Sequence, residues 1–92
     1  MTTRAERNFL KLPFADHRDG DDPAMREAID FFLLHLSDVR RPDNNAYQLK
    51  LSSAVSYYPR NGRIHVDGEA KGRKERGLQA VMAVLQERDQ LS

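Results

Sequence analysis

The chain contains no cysteine. That excludes disulfide frameworks, thiolate metal centres and cysteine nucleophiles together, and fits a reducing compartment such as the cytoplasm. Long apolar runs are missing as well. The longest, Phe31-Phe32-Leu33-Leu34, falls far short of the roughly 20 residues that span a bilayer, and the opening MTTRAERN has no signal-peptide hydrophobic region. A cytoplasmic protein without membrane contact is expected. Nor is there an excess of one charge: 15 Lys and Arg stand against 14 Asp and Glu, for a formal net charge of +1. Electrostatic function must therefore come from local clustering. No Gly-x-Ser-x-Gly elbow occurs, and Gly68-x-x-x-Gly72 lacks the Gly-Lys-Ser/Thr ending of a phosphate loop. His17, His35 and His65 lack metal-ligand spacing, and DHRDGDD over 16–22 lacks the distal Glu of a calcium loop. Neither a cofactor nor a metal nor catalysis is expected.

What remains is 92 residues, 39% hydrophobic and 32% charged, enough for a single domain (1–92) with one core and a heavily charged surface. Asp21 or Asp22 can cap a helix that opens on Pro23, and the acidic loop 16–22 suits the positive end of the helix dipole. Met25, Ala28, Ile29, Phe32, Leu33 and Leu36 then follow the spacing of one helical face, which predicts a helix over about 23–39. Phe31 and Leu34 form a second apolar pair outside that stripe, so this helix needs cover on two sides. Arg40 and Arg41 sit at its C-terminal end, and Pro42-Asp43-Asn44-Asn45 stops it.

Beyond the turn the period falls to two. Tyr47, Leu49, Leu51, Val55 and Tyr57 alternate with polar residues, which reads as one strand with a wet face. Pro59-Arg60-Asn61-Gly62 is a hairpin signal, and Arg63 to Asp67 is the returning strand. Tyr57 then pairs with Val66 across a two-residue loop, or with Ile64 across a four-residue loop. The front half of the long strand is left without a hairpin partner. The nearest candidate is an edge strand over 8–14, in which Leu10, Leu12 and Phe14 alternate and Pro13 restricts pairing to one side; a second copy of the chain is the other. Leu78, Val81, Met82 and Leu85 predict a last helix over about 73–90, with Gly77 weakening its start or marking it. The expected fold class is α+β, a small (β)-α-β-β-α domain whose antiparallel hairpin sheet carries two helices on one face. The N-terminal segment 1–22 supplies the edge strand and the acidic loop.

One local charge signal stands out. Arg60, Arg63, Lys71, Arg73, Lys74 and Arg76 lie within 17 positions that also hold His65, Asp67, Glu69 and Glu75. Tyr58 shares the wet face of the hairpin by parity and could stack on a base. Gly68 to Arg76, followed by Ala80, Ala83 and Leu85, resembles the connector and last helix of double-stranded-RNA-binding domains, and Gly62-Arg63-Ile64-His65 has the Gly and His of that family's loop motif. The resemblance implies phosphate contacts by Arg73 and Lys74 and a minor-groove position for His65. It departs from the family in having no further strand between His65 and Lys74, and in placing Gly77 where a third basic residue stands. No family is assigned on it.

The favoured expectation is a non-catalytic interaction or regulatory module that acts through protein contacts. Phe31, Leu34, Phe9 and Phe14 are its candidate interface, most simply between two copies in a homodimer. The alternative is RNA or DNA binding through Arg60–Arg76. The competing account of the apolar helix is a monomer in which residues 1–22 fold over it.

Overall fold

The computed structural model describes residues 3–36, 38–69 and 73–87. It is a small α+β domain of three helices and a three-stranded antiparallel sheet. Helix α1 spans Arg4–Leu10 and α2 Pro23–His35; strands β1 (Leu49–Lys50), β2 (Val55–Tyr58) and β3 (Arg63–Val66) follow, and α3 covers Leu78–Glu87.

The first correction lies at the N-terminus, where the expected edge strand 8–14 begins as helix. Thr3 Oγ1 accepts from Glu6 N at 3.1 Å and donates to the Glu6 carboxylate at 3.2 Å, so the Thr-x-x-Glu spacing that starts α1 makes the N-cap half of a capping box. Only Phe14 keeps a strand-like pairing, a single antiparallel bridge to Arg40. Arg40 in turn bridges Lys50, with both backbone bonds made at 2.8 and 2.9 Å. The outer edge of β1 is therefore covered from within the chain, by the segment after α2 rather than by residues 8–14 directly.

Asp22 caps α2, its carboxylate accepting from Met25 N at 2.9 Å, and Pro23 takes the first helical position. The helix ends at His35, four residues before the expected 39. Leu36 is extended, and the backbone beyond carries Val39 and Arg41 into the interior, each 1% exposed. The buried stripe is Met25, Ala28, Ile29 and Phe32; Leu33, placed on it by periodicity, is 52% exposed.

The long strand 47–57 is a second hairpin. Leu49 pairs with Tyr57 and Lys50 with Ser56, while Ser52 Oγ accepts from Ala54 N and Val55 N at 3.2 Å to hold the turn. Leu51 and Val55 are four positions apart, so the alternation keeps its parity through the reversal and cannot distinguish it from a straight strand. Across the next turn Tyr57 pairs with Ile64 and Tyr58 with Arg63, the four-residue alternative. Gly62 closes that turn at φ +73°, donating to Tyr58 O at 2.8 Å. Gly77, at φ +102°, donates to Gly62 O at 2.9 Å. Arg76, bridged to Arg63, and Gly77 therefore lie along the hairpin, residues 73–77 are outside the helix, and α3 starts at Leu78; positions 88–90 of the expected helix lie outside the described residues.

One apolar cluster joins Ile29 and Phe32 of α2, Leu49, Val55, Tyr57, Ile64 and Val66 of the sheet, and Val81, Val84 and Leu85 of α3. Phe32 meets Tyr57 edge to face at 5.4 Å between centroids. Desolvation pushes the Tyr57 hydroxyl pKa up, with Glu27 adding to the effect. Among the described residues no helix is long and apolar enough to cross a membrane.

Candidate functional site

Antiparallel partners share a face, so the bridges and ladders define rows of side chains across the polar side of the sheet. One row runs Phe14, Arg40, Lys50, Ser56, His65. Beside it lie Tyr58, Arg63 and Arg76, paired in turn across β2, β3 and the connector. Gln48 joins this side from the position just before β1, its amide donating to Ser56 Oγ at 2.9 Å. Tyr58, Asn61, Arg63 and His65 together line one shallow depression.

The charges on this face are unevenly used. Asp67 sits 3.7 Å from Lys50 Nζ and 3.3 Å from His65 Nε2. Arg40 is buried, held by Asp38 at 2.6 Å and donating to the carbonyls of Leu10 and Leu12 at 3.2 and 2.8 Å. Its guanidinium lies 3.9 Å from the centroid of the exposed Phe14 ring. Arg63 and Arg76 are exposed, and neither has an ion-pair partner among the described residues.

The basic segment read from the sequence is therefore divided. Tyr58, Arg63, His65 and Arg76 come together. Arg73 does not join them: its guanidinium binds Glu69 at 2.7 and 3.0 Å and reaches Glu87 at 3.4 Å. Those two carboxylates push its pKa further up, so its charge is matched locally. Arg60 turns away at the hairpin tip to the Tyr47 ring, 5.5 Å from its centroid. Lys74 is exposed in the connector, and Lys71 lies outside the described residues. With Arg73 and Lys74 both ahead of α3, no basic pair opens that helix as the double-stranded-RNA resemblance implied.

The apolar quartet is divided too. Phe9 is 8% exposed and Phe31 packs on the core, whereas Phe14 and Leu34 are 68% and 82% exposed. Leu33 and Leu10, at 52% and 53%, join the exposed set.

A second constellation escaped sequence reading. Arg41 is 1% exposed and ties the acidic loop to the turn before β1, donating to both Asp21 oxygens at 2.6 and 2.7 Å and to the carbonyls of Asp16 and Ala46 at 3.0 Å. The hydrogen bonds from Arg41, aided by the Arg18 backbone N–H and outweighing desolvation, hold the Asp21 carboxyl down at about 2. The acidic loop thus neutralises a buried cation, and only Asp22 caps the helix. Beside Arg41 lies a pocket of about 180 Å³, bordered by Arg18, Asp19, Tyr47 and Arg60, smaller than the roughly 300–1,000 Å³ usual for small-molecule sites. His17 sits elsewhere, 2.9 Å from Asp30 on α2. Among the described residues no group of three or more His, Cys, Asp and Glu side chains could hold a metal ion.

The chain matches no protein-family model, no curated protein and no solved structure.

Proposed function

We propose that this chain is a non-catalytic binding module whose polar sheet face takes nucleic acid, with α2 and α3 both on the opposite, apolar side. The observation that carries the reading is the convergence of Tyr58, Arg63 and His65 on one depression, with Arg76 paired to Arg63 at its border. Two guanidiniums without an ion-pair partner among the described residues, beside a half-buried ring, combine phosphate attraction with a stacking surface. Lys50 extends the positive strip, softened by Asp67.

An anisotropy titration of labelled RNA and DNA 20-mers at 50 and 200 mM salt tests it. Three phosphate contacts give a salt slope of about −2.1 to −2.7, hence roughly 20- to 40-fold weaker binding at the higher salt. The double variant Arg63→Ala/Arg76→Ala should lose most of that affinity and flatten the slope while keeping the wild-type circular dichroism. Equal binding by the folded double variant would remove this face from consideration.

A second reading is a protein-interaction module in which two copies meet through α2. Leu33 and Leu34, adjacent on that helix and at least half exposed, favour it; Phe9 and Phe31, turned inward, contribute little. Leu33→Glu/Leu34→Glu should then shift the light-scattering mass from dimer to monomer with little response to salt. A monomeric mass for the unaltered chain at 100 µM, a concentration on the order of those favouring weak self-association, speaks against this reading.

A further inference from the structure

We infer, on the strength of the nucleic-acid reading, that the ligand is single-stranded and that one of its bases stacks on Tyr58 while its backbone follows Arg63 and Arg76. Three features of the row argue for a single strand. First, Gln48, Tyr58, Arg63 and Arg76 lie on successive sheet segments, a span of about 14 Å at the usual inter-strand spacing. An amide, held by Ser56, a ring and two guanidiniums thus follow one another across the sheet. Second, Tyr58 is half-buried and Arg63, its partner across the ladder, is exposed, so the ring is held by its neighbours and a cation stands at its edge. A ring in that position has something to do only when a base presents its free face, and the bases of a duplex are already stacked on each other. Third, two of the basic residues that flank the row are engaged elsewhere. Arg60, at the hairpin tip, is turned onto Tyr47, and Arg73 is matched by Glu69 and Glu87.

Charge complementarity selects nucleic acid over an acidic peptide here. An extended polyanion offers evenly spaced phosphates to Arg63 and Arg76 and a π-face to Tyr58 at the end of that series. A carboxylate-rich peptide would use the cations and leave the ring idle.

The experiment uses the full chain at 50 mM salt with labelled single-stranded RNA, single-stranded DNA and a blunt DNA duplex of equal length. Both single strands should bind at least tenfold more tightly than the duplex, and any difference between RNA and DNA reports contact with the 2′-hydroxyl at the same site. Tyr58→Phe keeps the ring and should stay within twofold of wild type. Tyr58→Leu should weaken single-strand binding roughly 5- to 150-fold, the loss expected for one stacked base. The inference is overturned if the duplex binds as well as either strand, a comparison that needs no variant, or if folded Tyr58→Leu binds as wild type. Either result, with Arg63→Ala/Arg76→Ala still impaired, leaves the broader nucleic-acid reading intact. Failure of every probe to bind overturns both.

Discussion

Replacing Asp21 by Asn should be the most destabilising single-atom-scale change available in the loop before α2. The substitution keeps the shape of the side chain but turns one acceptor into a donor that faces the Arg41 guanidinium, so a cation of 1% exposure loses its countercharge and one of its two side-chain acceptors and keeps the Asp16 and Ala46 carbonyls. Breaking a buried pair from one side costs about 3–5 kcal/mol. A domain of this length has a total stability on the order of 5–14 kcal/mol, so Asp21→Asn should remove a large part of it. The Arg18 backbone N–H, bound by the same carboxylate at 2.7 Å, adds to the loss. Urea unfolding followed by circular dichroism measures it, with an unchanged slope as the sign that only the native state was affected.

Acid supplies an independent arm of the same test. The folded chain holds the Asp21 carboxyl at about 2 against 3.8 in the unfolded chain, so the unfolded state takes up the proton first as pH falls. The pairing stabilises fully above about pH 4 and is lost through the window from 3.8 to about 2, a component of about 2 kcal/mol. Asp21→Asn should lack that component. The double variant Asp21→Asn/Arg41→Met, which removes the buried charge as well, should be less destabilised than the sum of its singles. A loss below 1 kcal/mol for Asp21→Asn would refute the reasoning, because it would mean that water or another group reaches Arg41.

Gly62→Ala should cost roughly 2 kcal/mol or more, since a Cβ there would stand 2.9 Å from the backbone N of Gly77 at a φ of +73°; a melting temperature within a degree of wild type would show that the connector yields freely. Arg73→Ala should lower stability by no more than about 1 kcal/mol, as Glu69 and Glu87 are partly exposed, and should weaken nucleic-acid binding less than Arg63→Ala at the same salt. The reverse order would mean that Arg73 leaves its carboxylates to meet the ligand. On α2, Phe32→Ala should cost roughly 3–5 kcal/mol and Leu34→Ala less than about 0.5, matching exposures of 0% and 82%; similar losses for the two would contradict the helix orientation.

The sequence by itself determined the elements whose signals are local. Asp22 and Pro23 start α2, Asn61-Gly62 reverses the chain, and strict alternation sets which side of β2 and β3 is apolar, because each depends on backbone stereochemistry within a few residues. Thr3-Arg4-Ala5-Glu6 belongs to the same legible class, although the alternation of Leu10, Leu12 and Phe14 masks it. Tertiary structure decided the rest. Whether 47–57 is one strand or two turns on long-range pairing, since both forms give Leu49, Leu51, Val55 and Tyr57 the same parity. Arg40 and Arg41 look like cations at a helix end, yet one is drawn beneath Phe14 and the other buried against Asp21, because the backbone after α2 must complete the edge of β1. Most of the candidate site was legible as residue types: Tyr58, Arg63, His65 and Arg76 were already marked by charge and parity. Their separation from Arg60 and Arg73 was not, since it rests on where Tyr47, Glu69 and Glu87 lie in space, and positions up to 14 apart in the chain carry no mark of that proximity.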